Sequence, residues 1–180
     1  MFDPPPPIRQ LTPTGDADHI LRLGRELQEL ATRHGVHNVM TDNGYQELVV
    51  LTLFGLTKLR REGNDARDAT GHQYELKTVG RISSDGVRKA SLSVTTEHTL
   101  TLANIERYRR VWLWVVAVFD RTLPEVIYEI APAALEPYFA AWERHLRDND
   151  PSGTDPLNHI NNPKIPLKFV ADHGVRIWPP

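Results

Sequence analysis

The sequence predicts an α/β fold, a mixed central sheet flanked by helices, and three observations predict it. The run Val111 to Phe119 is almost wholly aliphatic or aromatic, the pattern of a central strand buried on both faces. Ile20, Leu23, Leu27 and Leu30 recur at helical spacing near the N-terminus,. Gly63 to Lys77 reads as a β-hairpin, with Ala69-Thr70-Gly71-His72 as its turn and Gly71 free to take the positive φ that such loops need,.

The elements follow in order. Met1-Phe2-Asp3 and the four prolines after it lack the basic-then-apolar pattern of a signal peptide,. Residues 1–15 are expected to be a disordered or polyproline arm. Asp16 is expected to cap a helix running to about His34, with Gly35 as its left-handed terminator. A second helix, roughly Gln46 to Phe54, is apolar on several sides and suits burial beneath a sheet. After the hairpin, Gly80 to Lys89 is a polar loop, and Ser91 to Thr101, rich in Thr, Ser and Val, is extended. Glu125 to Ile130 reads as the neighbour of the central strand. A turn opened by Pro132 leads to a helix from about Pro137 to Leu146, and Asp148 to His159 is loop. Pro166 to His173 is a short helix stopped by Gly174, followed by a strand from Val175 to Trp178.

Composition sets bounds. A chain of 180 residues can bury a real core,. With no cysteine, disulfides and zinc–thiolate sites are excluded,. No apolar run approaches the roughly 20 residues of a membrane helix. The formal net charge of −2 is not that of a strongly basic surface. Positive charge nevertheless clusters at Lys58-Leu59-Arg60-Arg61, at Arg81 with Arg88-Lys89, and at Arg107 to Arg110. Each cluster reads either as a phosphate contact or as a solvated face.

The chemistry lies in the hairpin. Side chains alternate along a strand, so Glu75 and Lys77 project to one side while Tyr74 and Leu76 face the other. Closing the hairpin brings Asp65 back beside them. Two carboxylates and an ammonium at one point suit Mg²⁺ and a phosphate, which points to a metal-dependent phosphodiesterase. The same pattern is also the ordinary look of a half-exposed antiparallel strand.

Further residues raise the first reading above the second. They are Asp42-Asn43-Gly44, Arg61-Glu62-Gly63-Asn64-Asp65-Ala66, Tyr74-Glu75-Leu76-Lys77, Tyr108-Arg109, Trp142-Glu143-Arg144, Ile160-Asn161-Asn162-Pro163-Lys164-Ile165-Pro166 and His173-Gly174. On these blocks, which run in one order over most of the chain, the sequence resembles the PvuII-like type II restriction endonucleases of the PD-(D/E)xK nuclease superfamily. Asn64 stands where many members of that superfamily have proline.

The resemblance implies a restriction-endonuclease-like sheet with a small DNA-recognition lobe. Residues 16–45 would form an N-terminal dimerisation helix region, 46–130 the catalytic core and 131–180 the recognition region. It assigns Asp65, Glu75 and Leu76 to Mg²⁺, and Lys77 to the attacking water and the phosphate. Glu62 matches an acidic residue at the edge of that site, and Tyr108 a tyrosine near the scissile phosphate. Base reading falls to Thr95, Thr96, Glu97, His98 and Thr99 and to Asn161, Asn162 and Lys164, with Asp42 approaching the minor groove. An asparagine amide can pair bidentately with adenine, whereas an ionised Glu97 only accepts and suits cytosine N4. Asn-Asn-Pro and Asp-Asn-Gly are equally turn signals, and a lone His98 is equally a structural hydrogen bonder.

The implied protein is a cytoplasmic bacterial homodimer cutting a palindrome, CAGCTG or a related hexamer, in double-stranded DNA. A cognate DNA methyltransferase acting on the same site would accompany it. The triad also leaves open a nuclease for modified or branched DNA, or a non-catalytic DNA-binding relative.

Overall fold

The computed structural model describes residues 15–41, 43–59, 64–153, 155 and 157–179. The proline arm to residue 14, Asp42 and Glu62 therefore lie outside the described residues. Helix α1 spans Asp16–Arg33. Its cap is Gly15 rather than Asp16, and no side chain bonds the first turn; Asp16 instead joins Asp18 as negative charge in that turn, where the helix dipole favours it,. Gly35, at φ 78, ends the helix as the sequence predicts. The Gly35 amide donates to the Thr32 carbonyl and the Val36 amide to the Ala31 carbonyl, the paired closure of a Schellman motif,.

Helix α2 spans Gly44–Phe54 and buries Leu48, Val50 and Leu51. Its opposite side stays in solvent, with Leu53 exposed, so it is buried on one face rather than all round.

The main sheet contains β1 (Thr57–Lys58), β2 (Ala66–Arg67), β3 (Gln73–Gly80), β6 (Leu113–Asp120), β7 (Leu123–Ile130) and β10 (Val175–Trp178), adjacent in that order. β3 and β6 run parallel, with Glu75 opposite Trp114 and Lys77 opposite Val116; the other pairs are antiparallel. A parallel pair needs a crossover, which here includes helix α3 (Leu102–Arg110). Thr101 and Asn104 close α3 with a reciprocal capping box,.

Strand alternation divides the core into two layers. Trp114, Val116 and Val118 of β6 face Ile105 and Tyr108 of α3. On the same side lie Phe139 and Leu146 of α4 (Glu136–Asn149) and Val170 of α5 (Leu167–His173). Val115, Ala117 and Phe119 face the other way, onto Ala31 of α1 and Leu48 and Leu51 of α2. Along β3, Tyr74 and Leu76 join the α2 layer and Val79 the α3 layer. The alternation therefore turns Glu75 and Lys77 toward Trp114 and Tyr108.

Two small antiparallel pairs stand beside the main sheet: β4 (Ser93–Thr95) with β9 (Lys164–Pro166), and β5 (Thr99–Leu100) with β8 (Ile160–Asn161). Two boundaries differ from the sequence reading. Helix α4 runs on to Asn149, so the following loop starts later. Trp112 precedes β6 and is 55% exposed, because the chain is still turning from α3 into the strand. Among the described residues no helix is long and apolar enough to cross a membrane.

Gly174 shows why one of the resemblance blocks ends in glycine. A Cβ there would stand 2.7 Å from the Val170 carbonyl oxygen and 2.8 Å from that of Glu129, on the backbones of α5 and β7. Neither can retreat without loosening the packing of α5 on the sheet. Gly174→Ala is expected to cost about 1–3 kcal/mol, the range for overpacking a close contact. Urea denaturation checks it; an unchanged midpoint would mean that α5 shifts freely.

Candidate active site

Glu75 is 1% exposed. A charged face in water is thereby excluded for this strand, and the reason is packing that lies far off in sequence. Helix α3 and the aromatic group of Tyr108, Trp114 and Phe139 close over this side of β3. Lys77 Nζ lies 2.7 Å from Glu75 Oε1. It also stands 5.6 Å from the Tyr108 ring centre and 5.9 Å from that of Trp114, within range of a cation–π attraction.

Asp65 enters from the end of β2. Its amide donates to the Tyr74 carbonyl at 3.2 Å, continuing the ladder. The next bond is made by its side chain: Oδ2 accepts the Leu76 amide at 2.7 Å. That bond satisfies a strand N–H which β2 no longer reaches, and it fixes the carboxylate beside β3. On a strand the amide and carbonyl of one residue share an edge, so the Leu76 carbonyl also points to the Asp65 side.

The electrostatics of the site suit a cation. Burial pushes the Glu75 carboxyl up to about 7, against the pull of Lys77 and helped by the nearby charge of Asp65. Among the described residues Glu75 Oε2 is buried without a hydrogen-bond partner, an arrangement that costs stability unless something positive meets it. Two carboxylates and a main-chain carbonyl form an oxygen set that suits a hard divalent ion. Among the described residues no group of three or more His, Cys, Asp and Glu gathers at a metal site. An ion here would take the rest of its shell from water and phosphate.

The predicted recognition residues converge as well. Thr95 pairs with Lys164 and Thr99 with Asn161 across the two small sheets. The Asn162 amide donates to the His98 carbonyl at 3.0 Å, and the Asn162 Oδ1 and His98 Nδ1 atoms are 2.9 Å apart. Asn162 adopts φ 47, a left-handed conformation that asparagine tolerates,. Thr95, His98, Thr99, Asn161, Asn162 and Lys164 are all exposed.

Thr96 is a correction. It is 3% exposed, and its amide and hydroxyl both donate to the Pro163 carbonyl, so it joins the two segments rather than facing a base. Tyr108 is fully buried, with its hydroxyl donating to Glu97 Oε2 at 2.7 Å and set 3.0 Å from the Thr96 carbonyl. Its ring lies under the Lys77 ammonium. Burial raises its phenol well above the usual range.

The basic clusters sort themselves by partner. Arg81 grips Glu125 through two bonds at 2.8 and 2.9 Å, and Arg88 bridges Asp120 and Glu125. Arg109 is surrounded by Glu106, Glu136 and Glu143, and Lys58 pairs with Glu47. These arginines and lysines tie elements together. Arg107 pairs with Glu97 and Arg110 with Glu106, and both line a cleft of about 750 Å³ with Glu106, Asn64, His72, Gln73 and Trp112. The His72 and Trp112 rings stack there at 4.3 Å. Sequence reasoning missed this aromatic pair because it placed Trp112 inside the buried strand.

The raised Glu75 pKa has a consequence for the metal-free protein. The folded state keeps a proton that the unfolded chain releases near 4.5, so stability falls as pH rises from there to about 7,. The full loss is on the order of 3 kcal/mol. Glu75→Gln removes this component. Melting curves of both proteins in EDTA across that window are expected to converge on the acid side and to favour the variant at neutral pH. A parallel shift of both proteins would contradict the assignment.

A family model described as Restriction endonuclease PvuII matches residues 15–178. The match covers β2, β3, α3, both small sheets and the last strand, so every described part of the site falls within it. Enzymes of this family generally use a divalent metal ion and act on DNA. The chain belongs to the PvuII restriction endonuclease family and is a type II site-specific DNA endonuclease.

Proposed function

We propose that the chain acts as a Mg²⁺-dependent homodimer cutting both strands of a short palindrome, CAGCTG or a related hexamer, to leave 5′-phosphate and 3′-hydroxyl ends. The observation that carries this reading is the buried Glu75 carboxylate, bound on one oxygen by Lys77, unpartnered on the other and flanked by Asp65. Asp65, Glu75 and the Leu76 carbonyl would hold the ion. When bound, it supplies positive charge to the scissile phosphate and acidity to a nearby water.

The remaining work falls to the side chains. An ammonium has three donors, so Lys77 can keep its bond to Glu75 while holding the attacking water and a phosphate oxygen. Glu75 in turn fixes the lysine in place. Asp65, pinned by the Leu76 amide, cannot swing away when the phosphate arrives. Glu62 would complete the acidic edge. The Arg107–Arg110 cleft would take the strand beside the scissile phosphate. Asn161, Asn162, His98 and Lys164 would read base edges; an asparagine oxygen has two lone pairs, so its contact with histidine leaves room for adenine.

Two-fold protein symmetry matches two-fold DNA symmetry. The exposed apolar face of α1, with Ile20 at 66% and Leu23 at 49% exposed, is the surface we assign to the partner subunit. Residues 16–45 would thus be the dimerisation region, 46–130 the catalytic core and 131–180 the recognition region. A DNA methyltransferase modifying the same site would protect the host genome.

Digestion of a long unmodified DNA with Mg²⁺, against an EDTA control, is expected to give discrete fragments with one palindrome at every end. Asp65→Ala and Lys77→Ala should abolish cleavage while keeping specific binding. Random ends, or cleavage only of branched or modified DNA, would overturn the site-specific reading. Retained activity in either variant would overturn the triad. Separately, Leu23→Glu should shift the protein from dimer to monomer in sedimentation with its circular dichroism unchanged; a monomeric wild type would remove the dimer from the account.

A further inference from the structure

Glu97 occupies an unusual place. It lies in the recognition segment between β4 and β5, yet its carboxylate points back into the catalytic half. Oε2 accepts from the buried Tyr108 hydroxyl at 2.7 Å and from Arg107 at 3.3 Å. Its side chain remains 38% exposed, open to a partner in the DNA groove. Arg107 lies 4.9 Å over one ring, that of Tyr108, and Lys77 Nζ stands 5.6 Å from the centre of the same ring. Tyr108 thus bonds the recognition carboxylate through its hydroxyl and presents its ring to the catalytic lysine.

We propose that Glu97 and Tyr108 form a positioning pair that ties the placement of Lys77 to the state of the recognition segment, making Glu97 a determinant of cleavage selectivity. The inference rests on the nuclease reading above. Tyr108 has one hydroxyl proton and two acceptors, Glu97 Oε2 and the Thr96 carbonyl, and both belong to the segment that meets the bases. A shift of that segment therefore moves an acceptor of the hydroxyl. The ring cannot follow independently, because Trp114 packs on it edge-on at 4.7 Å and Phe139 lies at 6.3 Å. A displacement at Glu97 is passed to the aromatic wall beneath Lys77 instead of being absorbed. A matching base pair fixes Glu97 and with it the wall, while a mismatched one leaves both unanchored.

The test compares wild type, Glu97→Gln, Tyr108→Phe and the double variant on synthetic duplexes. One duplex carries the site mapped by end sequencing, and the others differ from it by one base pair. Single-turnover rates are measured at saturating protein, and binding is measured with Ca²⁺ in place of Mg²⁺. Each single variant, whatever its affinity, is expected to cleave the mapped site about tenfold more slowly at saturation and to narrow the rate ratio between mapped and altered sites. The double variant should be no slower than the worse single, since both break one link.

The selectivity ratio separates this from a purely structural role, because a lower folded fraction slows every substrate equally. The proposal is overturned if Glu97→Gln raises only the half-saturating concentration with an unchanged saturated rate. It is also overturned if the two substitutions multiply, or if the ratio stays constant. A wild type that cuts nothing would instead sink the nuclease reading, an outcome separate from these.

Discussion

Glu75 sits in the middle of a strand that is paired along its length to β6, on the side of the sheet that α3 and α4 cover. A carboxylate so placed has lost its water, and the loss is tolerable only where charge is supplied from nearby. Lys77 compensates one oxygen; among the described residues the other has no hydrogen-bond partner. Much of the architecture follows from holding that group still. The β3–β6 register sets Glu75 opposite Trp114, the α3 capping box fixes the helix that carries Tyr108, and the Asp65 side chain takes over from the β2 backbone. The apolar layers on both faces of the sheet stabilise a site that is itself unfavourable without a cation.

The residues proposed for recognition and for catalysis come from different parts of the sequence and lie on adjoining ground. The 95–99 and 160–166 segments are joined by the two small sheets and by the link between His98 and Asn162. Thr96 anchors them to each other, and the Tyr108 hydroxyl anchors the pair to the catalytic face. Ion pairing also shapes the basic clusters. Several of the arginines that look available in the sequence are tied to Glu125, Glu136 and Glu143, and Arg107 and Arg110 along the cleft beside Asn64 pair with Glu97 and Glu106.

The parts of this arrangement that were legible in the sequence are those set by local rules. Period-two alternation around the Gly71 turn placed Asp65, Glu75 and Lys77 together, and apolar runs located β6 and β7. The Gly35 terminator was visible because a left-handed residue after a helix is a local requirement. Burial of Glu75 was not legible, since a charged alternating strand looks the same in water as beneath a helix; only the packing of α3 and α4 decides. Thr96 and Trp112 were misplaced for the same kind of reason. One is buried by Pro163, a residue distant in sequence, and the other is exposed because the chain turns before the strand begins. Resemblance blocks such as Ile160 to Pro166 pointed to the proposed recognition segments, but their pairing with 93–100 is a tertiary fact.

The central claim is that the unpartnered Glu75 oxygen and Asp65 share a divalent cation. Its most direct test is a crystal structure of the protein soaked in Mn²⁺ and recorded for anomalous scattering. One peak per subunit is expected within coordination distance of Asp65, Glu75 Oε2 and the Leu76 carbonyl, absent in Glu75→Gln. A peak elsewhere, or none with Glu75 still facing only Lys77, would contradict it.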